Sequence, residues 1–259
     1  MTQKEQLLFL IQYLLEENSE YHYIQIPHLE AEQKQLLRSL MNMRLPKPIA
    51  KEFLKIQDDY LTEQKNEKGV VLLSDLSPIK KGIYLWQGDI TRLQVDAIVN
   101  AANCTLLGCF VPCHKCIDNA IHSASGIQLR LACYQIMKKQ EKEEVIGTAK
   151  ITKAYNLPCQ YILHTVGPII DGKLTEKDCQ LLASCYQSCL NLAAFYRLKS
   201  IAFCCISTGE FHFPNEIAAR IAIETIEKYQ KENQSNIEVI FNVFKKTDYE
   251  IYKRFFSTN

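Results

Sequence analysis

Three things are scarce or missing in this sequence. The first is charge of one sign: 30 Lys and Arg against 29 Asp and Glu leave a net charge of +1 at pH 7. No bulk field therefore favours nucleic acid or an anionic membrane as a partner. A phosphate site built from backbone N–H groups needs no net charge and stays open. The second is a hydrophobic run of bilayer length. LLFLIQYLL, near the start, is far too short to span a membrane. Glu5 precedes it, Gln12 interrupts it, Glu16 and Glu17 follow it, and no small-residue cleavage site is present. It reads as an amphipathic helix rather than a signal peptide. The third is repetition: no internal repeat and no low-complexity tract is visible.

Cysteine, by contrast, is abundant. The count of 11 is odd, and several cysteines sit in apolar runs such as FCCIS and CYQSCL, where cysteine behaves as a small hydrophobe. A chain of this length needs no covalent staples. Most of the cysteines are expected to be reduced thiols in a cytoplasmic protein.

Residues 1–75 differ from the rest. Residues 3–18, 31–45 and 48–65 each carry apolar residues at helical spacing, with Phe53, Ile56 and Tyr60 as one stripe. Pro27, Pro46 and Pro48 punctuate them. EQKNEKG (63–69) reads as a charged, exposed linker. A helical extension over 1–75 and a second domain over 76–259 are expected. From about residue 82, short β-branched or aromatic runs alternate with helical ones. Strands are predicted at 83–86, 97–99, 148–154, 161–164, 200–205 and 238–244. Helices are predicted at 117–125, 127–139, 176–196, 214–231 and 248–255. This alternation predicts an α/β layer with a mixed, largely parallel sheet.

Ligands of such sheets sit at the carboxyl ends of the strands. QGDI (87–90), NAAN (100–103) and STGEFHFP (207–214) fall there. Between NAAN and IDNAIH lies GCFVPCHKC, with Cys109, Cys113, His114 and Cys116 as soft and borderline donors of the kind zinc prefers. All four ligands would make a closed structural site. Adjacent Cys113 and His114 rarely reach one metal together, which favours Cys109, His114 and Cys116 with one position open, as in catalytic sites. A chance cluster of thiols is the plainer reading.

QGDIT, VDAIVNAAN, IDNAIHSASG, HTVGP and STGEFHFP, in that order, resemble the macrodomain family from about residue 82 onward. The resemblance implies a three-layer α/β/α sandwich with a mixed sheet that binds ADP-ribose. It implies that Asp89 accepts from the adenine amino group and Ile90 offers backbone and apolar contact to the base. Asn103 would bind the distal ribose, with Ile117 and Asp118 beside it. Ser207, Thr208, Gly209, Glu210 and Phe211 would wrap the diphosphate with backbone N–H groups, Gly209 allowing the turn. Phe244 would lie beside the adenine. Capping for Asp89 and core packing for Phe211 and Phe244 are the ordinary alternatives. His122 reads as a buried structural histidine. The glycine-rich run usual between the two motifs is missing, and Glu210 and His212 occupy positions that are often small or apolar.

The insertion is similar to that of zinc-dependent macrodomains, which also carry a helical N-terminal extension. This implies one Zn2+ per chain, and Asn103 and Asp118 as catalytic residues converging with the metal on C1″ of the distal ribose. The implied activity is hydrolysis of mono-ADP-ribose from protein side chains, with an Asp or Glu ester as the linkage. The implied partners are a lipoyl-carrier protein as substrate and a sirtuin-type ADP-ribosyltransferase as its modifier. A non-catalytic ADP-ribose reader and an O-acetyl-ADP-ribose deacetylase would use the same pocket. A zinc nucleoside deaminase is a further alternative, since PCHKC fits P-C-x-x-C and His28-Leu29-Glu30 fits H-x-E.

Overall fold

A computed structural model describes residues 1–257. The chain opens with three helices, α1 (Gln3–Glu16), α2 (Glu30–Met43) and α3 (Lys51–Lys68). Thr2 and Glu5 close a capping box at the start of α1, which satisfies two of its first N–H groups. The apolar stripes meet one another: Leu7, Leu10 and Ile11 of α1 pack with Leu37 and Leu40 of α2 and Phe53 of α3, and Ile127 joins them from the α/β part. Each such side chain, fully buried, contributes roughly 1.5–3 kcal/mol.

EQKNEKG is not a linker. It forms the last turns of α3, which stops at Gly69 (φ 77°). Lys65 and Lys68 sit in that final turn, where cations complement the helix dipole. The chain then pairs at once, β1 (Val71–Leu72) running parallel to β4 (Leu93–Gln94), and Arg92 Nε donates to the Gly69 carbonyl at 2.8 Å. Strands of two residues carry no readable alternation, so the sequence did not announce them.

The main sheet has seven strands in the order β2 (Pro78–Lys80), β3 (Ile83–Gln87), β9 (Glu238–Val243), β8 (Ser200–Phe203), β5 (Ala97–Ala101), β7 (Tyr161–Thr165) and β6 (Ala149–Lys153). The inner pairs are parallel and the two edge pairs antiparallel. Every residue of β8 is buried, as expected of a parallel strand covered on both faces. Helices α4 (Ile117–Ser125) and α5 (Ile127–Gln140) pack against β5 and β6, while α6 (Glu176–Phe195), α7 (Asn215–Glu232) and α8 (Lys246–Ser257) pack in succession, α6 on β6 and β7 and α8 on β3 and β9. The result is the mixed-sheet sandwich the element pattern predicts. α2 and α3 lie on α4. The carboxyl ends of β3, β9, β8, β5 and β7 therefore share one edge, and the loop leading to α4 leaves from β5, next to the central strand β8. Among the described residues no helix is long and apolar enough to cross a membrane.

Candidate active site and metal centre

The loop between β5 and α4 is pulled into one cluster. The ligand atoms of Cys109, His114 and Cys116 lie within 4.8 Å of one another. His114 Nδ1 is buried with no hydrogen-bond partner among the described residues, which leaves its lone pair open to a metal or a water. Burial above all pushes the Cys116 thiol up to about 12. Two thiols and an unpartnered imidazole nitrogen at this separation fit zinc by donor chemistry. Cys113 turns away: at φ 52° its Sγ lies 3.3 Å from Ser39 Oγ and 3.4 Å from the Gln35 carbonyl of α2. A left-handed residue between Pro112 and His114 sends the adjacent side chains to different sides. His28 is not among the residues that gather in this metal-capable group.

Asn119 threads this loop. It is fully buried. Its N–H donates to Cys116 Sγ at 3.4 Å, its Nδ2 donates to the carbonyls of Val111 at 3.0 Å and Cys109 at 3.5 Å, and Arg38 donates to its Oδ1. Gly108 (φ 80°) brings the backbone onto the ring of His122, where a Cβ would meet ring atoms at 2.9 Å. His122 is buried, with neither ring nitrogen hydrogen-bonded among the described residues.

Asp118 follows at the first turn of α4. Only 5% of it is exposed. Its Oδ1 accepts from Asn100 Nδ2 at 2.8 Å and lies 3.5 Å from His122 Nε2, while Oδ2 makes no hydrogen bond among the described residues. Burial raises its carboxyl to about 6, against the lowering effect of Asn100 and Arg130. Asn100 also contacts His164 Nδ1 at 3.2 Å, and His164 Nε2 meets Thr152 Oγ1 at 2.9 Å, so this buried histidine is locked as a neutral ring; burial lowers it to about 3. Asn103 binds within its own loop, accepting from Thr105 and donating to the Gly108 carbonyl at 3.1 Å.

The other predicted residues gather at the same sheet edge. Asp89 caps a short 3-10 turn, its Oδ1 accepting from Thr91 N at 3.0 Å and Thr91 Oγ1 at 2.7 Å. It also borders a cavity of about 260 Å³ under α2 and α3. The Ile90 side chain, expected to offer apolar contact, is buried in the core. Phe244, far from being core, is 76% exposed at the end of β9. Phe213 fills the core instead of Phe211, which is half-buried.

In the loop after β8, the N–H groups of Gly209, Glu210 and Phe211 donate to nothing among the described residues. The turn is made by Ser207 (φ 63°) and His212 (φ 56°), not by Gly209. Non-glycine residues in this region are uncommon and cluster at functional loops. The space is made elsewhere: a Cβ on Gly167 would stand 2.1 Å from Ser207 Oγ, so the glycine of HTVGP lets the turn close down on β7. Glu210 Oε1 approaches His114 Nε2 at 3.8 Å, which brings this loop against the metal loop. Arg38, Asn100, Asn119 and Arg130 were missed in the sequence. Arg130, an arginine inside the apolar run IQLRLAC, carried the clearest signal.

The fold and these loops define an α/β sandwich whose ligand cleft lies over the carboxyl ends of its parallel strands. The sequence profile of the Macro domain family matches residues 99–222. A protein-ADP-ribose hydrolase of Treponema medium is 57% identical over 99% of this chain and 100% of its own. The protein-ADP-ribose hydrolase of Staphylococcus aureus (strain MSSA476) is 46% identical over 98% of this chain and 96% of its own. The crystal structure of a Trypanosoma brucei macrodomain in complex with ADP-ribose is 30% identical with a TM-score of 0.66, over 84% of this chain and 94% of that one. The chain belongs to the Macro domain family, and it is a hydrolase.

Proposed function

We propose that the protein is a zinc-dependent protein-ADP-ribose hydrolase that releases mono-ADP-ribose from acidic side chains of a modified protein. The observation that carries this reading is the placement of Cys109, His114 and Cys116 in the loop that leads directly to Asp118. The named activity of full-length relatives and the ADP-ribose bound by a structural relative support it.

In this reading Asp89 accepts from the adenine amino group through the oxygen left free by Thr91, and the Ile90 N–H faces the base. The free N–H groups of Gly209, Glu210 and Phe211 form an anion nest for the diphosphate, and exposed Phe244 offers a face for the adenine. Asn103, whose amide here bonds within its own loop, would bind the distal ribose with the second hydrogen of its Nδ2. Asp118, its Oδ1 fixed by Asn100, presents Oδ2 to a water beside C1″ and orients it for attack. Zinc, held by Cys109, His114 and Cys116, would supply Lewis-acid polarisation of a ribose oxygen or of that water. The ester linkage, a lipoyl-carrier substrate and a sirtuin-type transferase as its modifier follow from the resemblance to zinc-dependent macrodomains.

Two outcomes check the assignment. Asp89→Ala should weaken ADP-ribose binding by roughly 1.5–3 kcal/mol, the worth of a hydrogen bond to a charged group, with zinc content unchanged. Asp89→Asn, which keeps the cap on Thr91, should show most of the loss; unchanged calorimetric affinity in both would remove Asp89 from the site. Separately, Cys109→Ser and Cys116→Ser should strip zinc from the purified protein, while Cys113→Ser, whose thiol faces α2, should retain it. Loss of metal from the Cys113 variant as well would make the site a closed one of four ligands.

A further inference from the structure

The loop that holds Cys109, His114 and Cys116 is not held from the α/β part alone. Arg38 reaches across from α2 with its planar fork. Nε and Nη2 donate to Asn119 Oδ1 at 3.2 and 2.7 Å, and Nη2 also donates to the His114 carbonyl at 3.1 Å. With two donors on its oxygen, the Asn119 amide has one orientation: its NH2 must face the carbonyls of Cys109 and Val111. The backbone N–H of the same residue donates to Cys116 Sγ. Each of the three side chains that would hold the metal thus has its own residue touched by Arg38 or by Asn119: His114 through its carbonyl, Cys109 through its carbonyl, Cys116 through its sulfur.

We propose that Arg38 is a positioning residue of the metal centre, and that the N-terminal extension is thereby part of that centre rather than an appendage to it. The proposal rests on the reading that Cys109, His114 and Cys116 bind zinc. Its physical content is pre-organisation. Three ligands on an eight-residue loop without regular structure lose conformational freedom when they converge on a metal. A loop already fixed by hydrogen bonds loses less. Asn42 adds to this from the next turn of α2, accepting from Cys113 N at 3.0 Å and donating to Ser123 Oγ at 2.9 Å. The charge is compatible: two thiolates and a neutral imidazole balance a divalent cation, so the guanidinium faces a neutral group. Lysine cannot substitute fully, because a single ammonium does not bridge Asn119 Oδ1 and the His114 carbonyl in one plane.

The test uses the full chain. Zinc affinity is measured by competition with a chromophoric chelator, and the site is observed in Co2+-loaded protein through its visible spectrum. Outer-shell partners of this kind typically carry 10–100-fold in metal affinity. Arg38→Met should raise the zinc dissociation constant by about 10–100-fold and shift the Co2+ bands, in a protein that still unfolds cooperatively without metal. Arg38→Lys should fall between Met and wild type. Lys34→Met, one turn earlier on α2, removes only an ion pair to Glu30 and should bind zinc as wild type does. Wild-type zinc affinity and an unshifted Co2+ spectrum in Arg38→Met overturn the proposal, and the same result in Arg38→Lys does so if the methionine variant does not fold. A wild-type chain that binds no zinc overturns the metal reading itself, so the two failures are told apart.

Discussion

Replacing Arg130 with methionine is expected to destabilise the protein by about 3 kcal/mol or more. The side chain is 5% exposed and serves acceptors on two separate segments. Its Nη1 donates to the carbonyls of Met41 at 3.0 Å, Asn42 at 2.7 Å and Arg44 at 2.7 Å, groups that α2 leaves unpaired at its end. Its Nε donates to the Leu107 carbonyl at 2.6 Å, and its guanidinium lies 4.2 Å from the centre of the Phe110 ring. Burial lowers its pKa to about 10, so it stays charged at neutral pH. Methionine replaces the aliphatic stem and offers no donor. A buried carbonyl left without a donor costs roughly 1–3 kcal/mol, and more than one is orphaned here. Urea unfolding should show a lower midpoint at an unchanged slope. A midpoint equal to that of the wild type would mean that water reaches those carbonyls and that the arginine adds nothing net.

The second large effect concerns Asp118. Asp118→Asn should lower turnover on mono-ADP-ribosylated protein by about 10²–10⁴-fold, the usual worth of a positioned acid–base group, and leave free ADP-ribose affinity nearly unchanged. The separation follows from position. Asp118 sits at the foot of the metal loop with Oδ1 fixed by Asn100, whereas most of the proposed affinity comes from Asp89 and the backbone N–H groups of the 207–211 loop. Asparagine preserves the acceptor for Asn100 and so the local packing. Single-turnover hydrolysis and calorimetry on the same sample check it. Equal loss of binding and turnover would make Asp118 a binding group, and full turnover would take it out of the mechanism.

The order of strands and helices was legible because the pattern shifts from helical spacing in 1–68 to short β-branched runs after 82. α4 matched its predicted span, 117–125, because Cys116 caps its start and Gly126 ends it. α3 ran past its predicted end because a charged tail such as EQKNEK looks the same in a linker as on an exposed helix face. The metal-capable triad was legible from donor spacing, and so was the divergence of Cys113, since neighbouring side chains point apart. The supports were not legible. Arg38 and Asn119 lie 81 positions apart, and nothing local in either segment signals their pairing. Gly209 was given the turn because glycine is the usual left-handed residue; the structure instead uses Ser207 and His212 and places the needed glycine at 167, on a different strand end. Close approach between loops distant in sequence leaves no periodic trace.

The most direct test of the central claim is made on one preparation, stripped of metal by a chelator and then reloaded with zinc. Release of ADP-ribose from modified protein and affinity for free ADP-ribose are measured in both states. Hydrolysis is expected to disappear in the stripped protein and return on reloading, while affinity falls only modestly, because Asp89 and backbone N–H groups, not the metal ligands, hold adenine and diphosphate. Undiminished hydrolysis in the stripped protein, or a loss of affinity as large as the loss of hydrolysis, would contradict it.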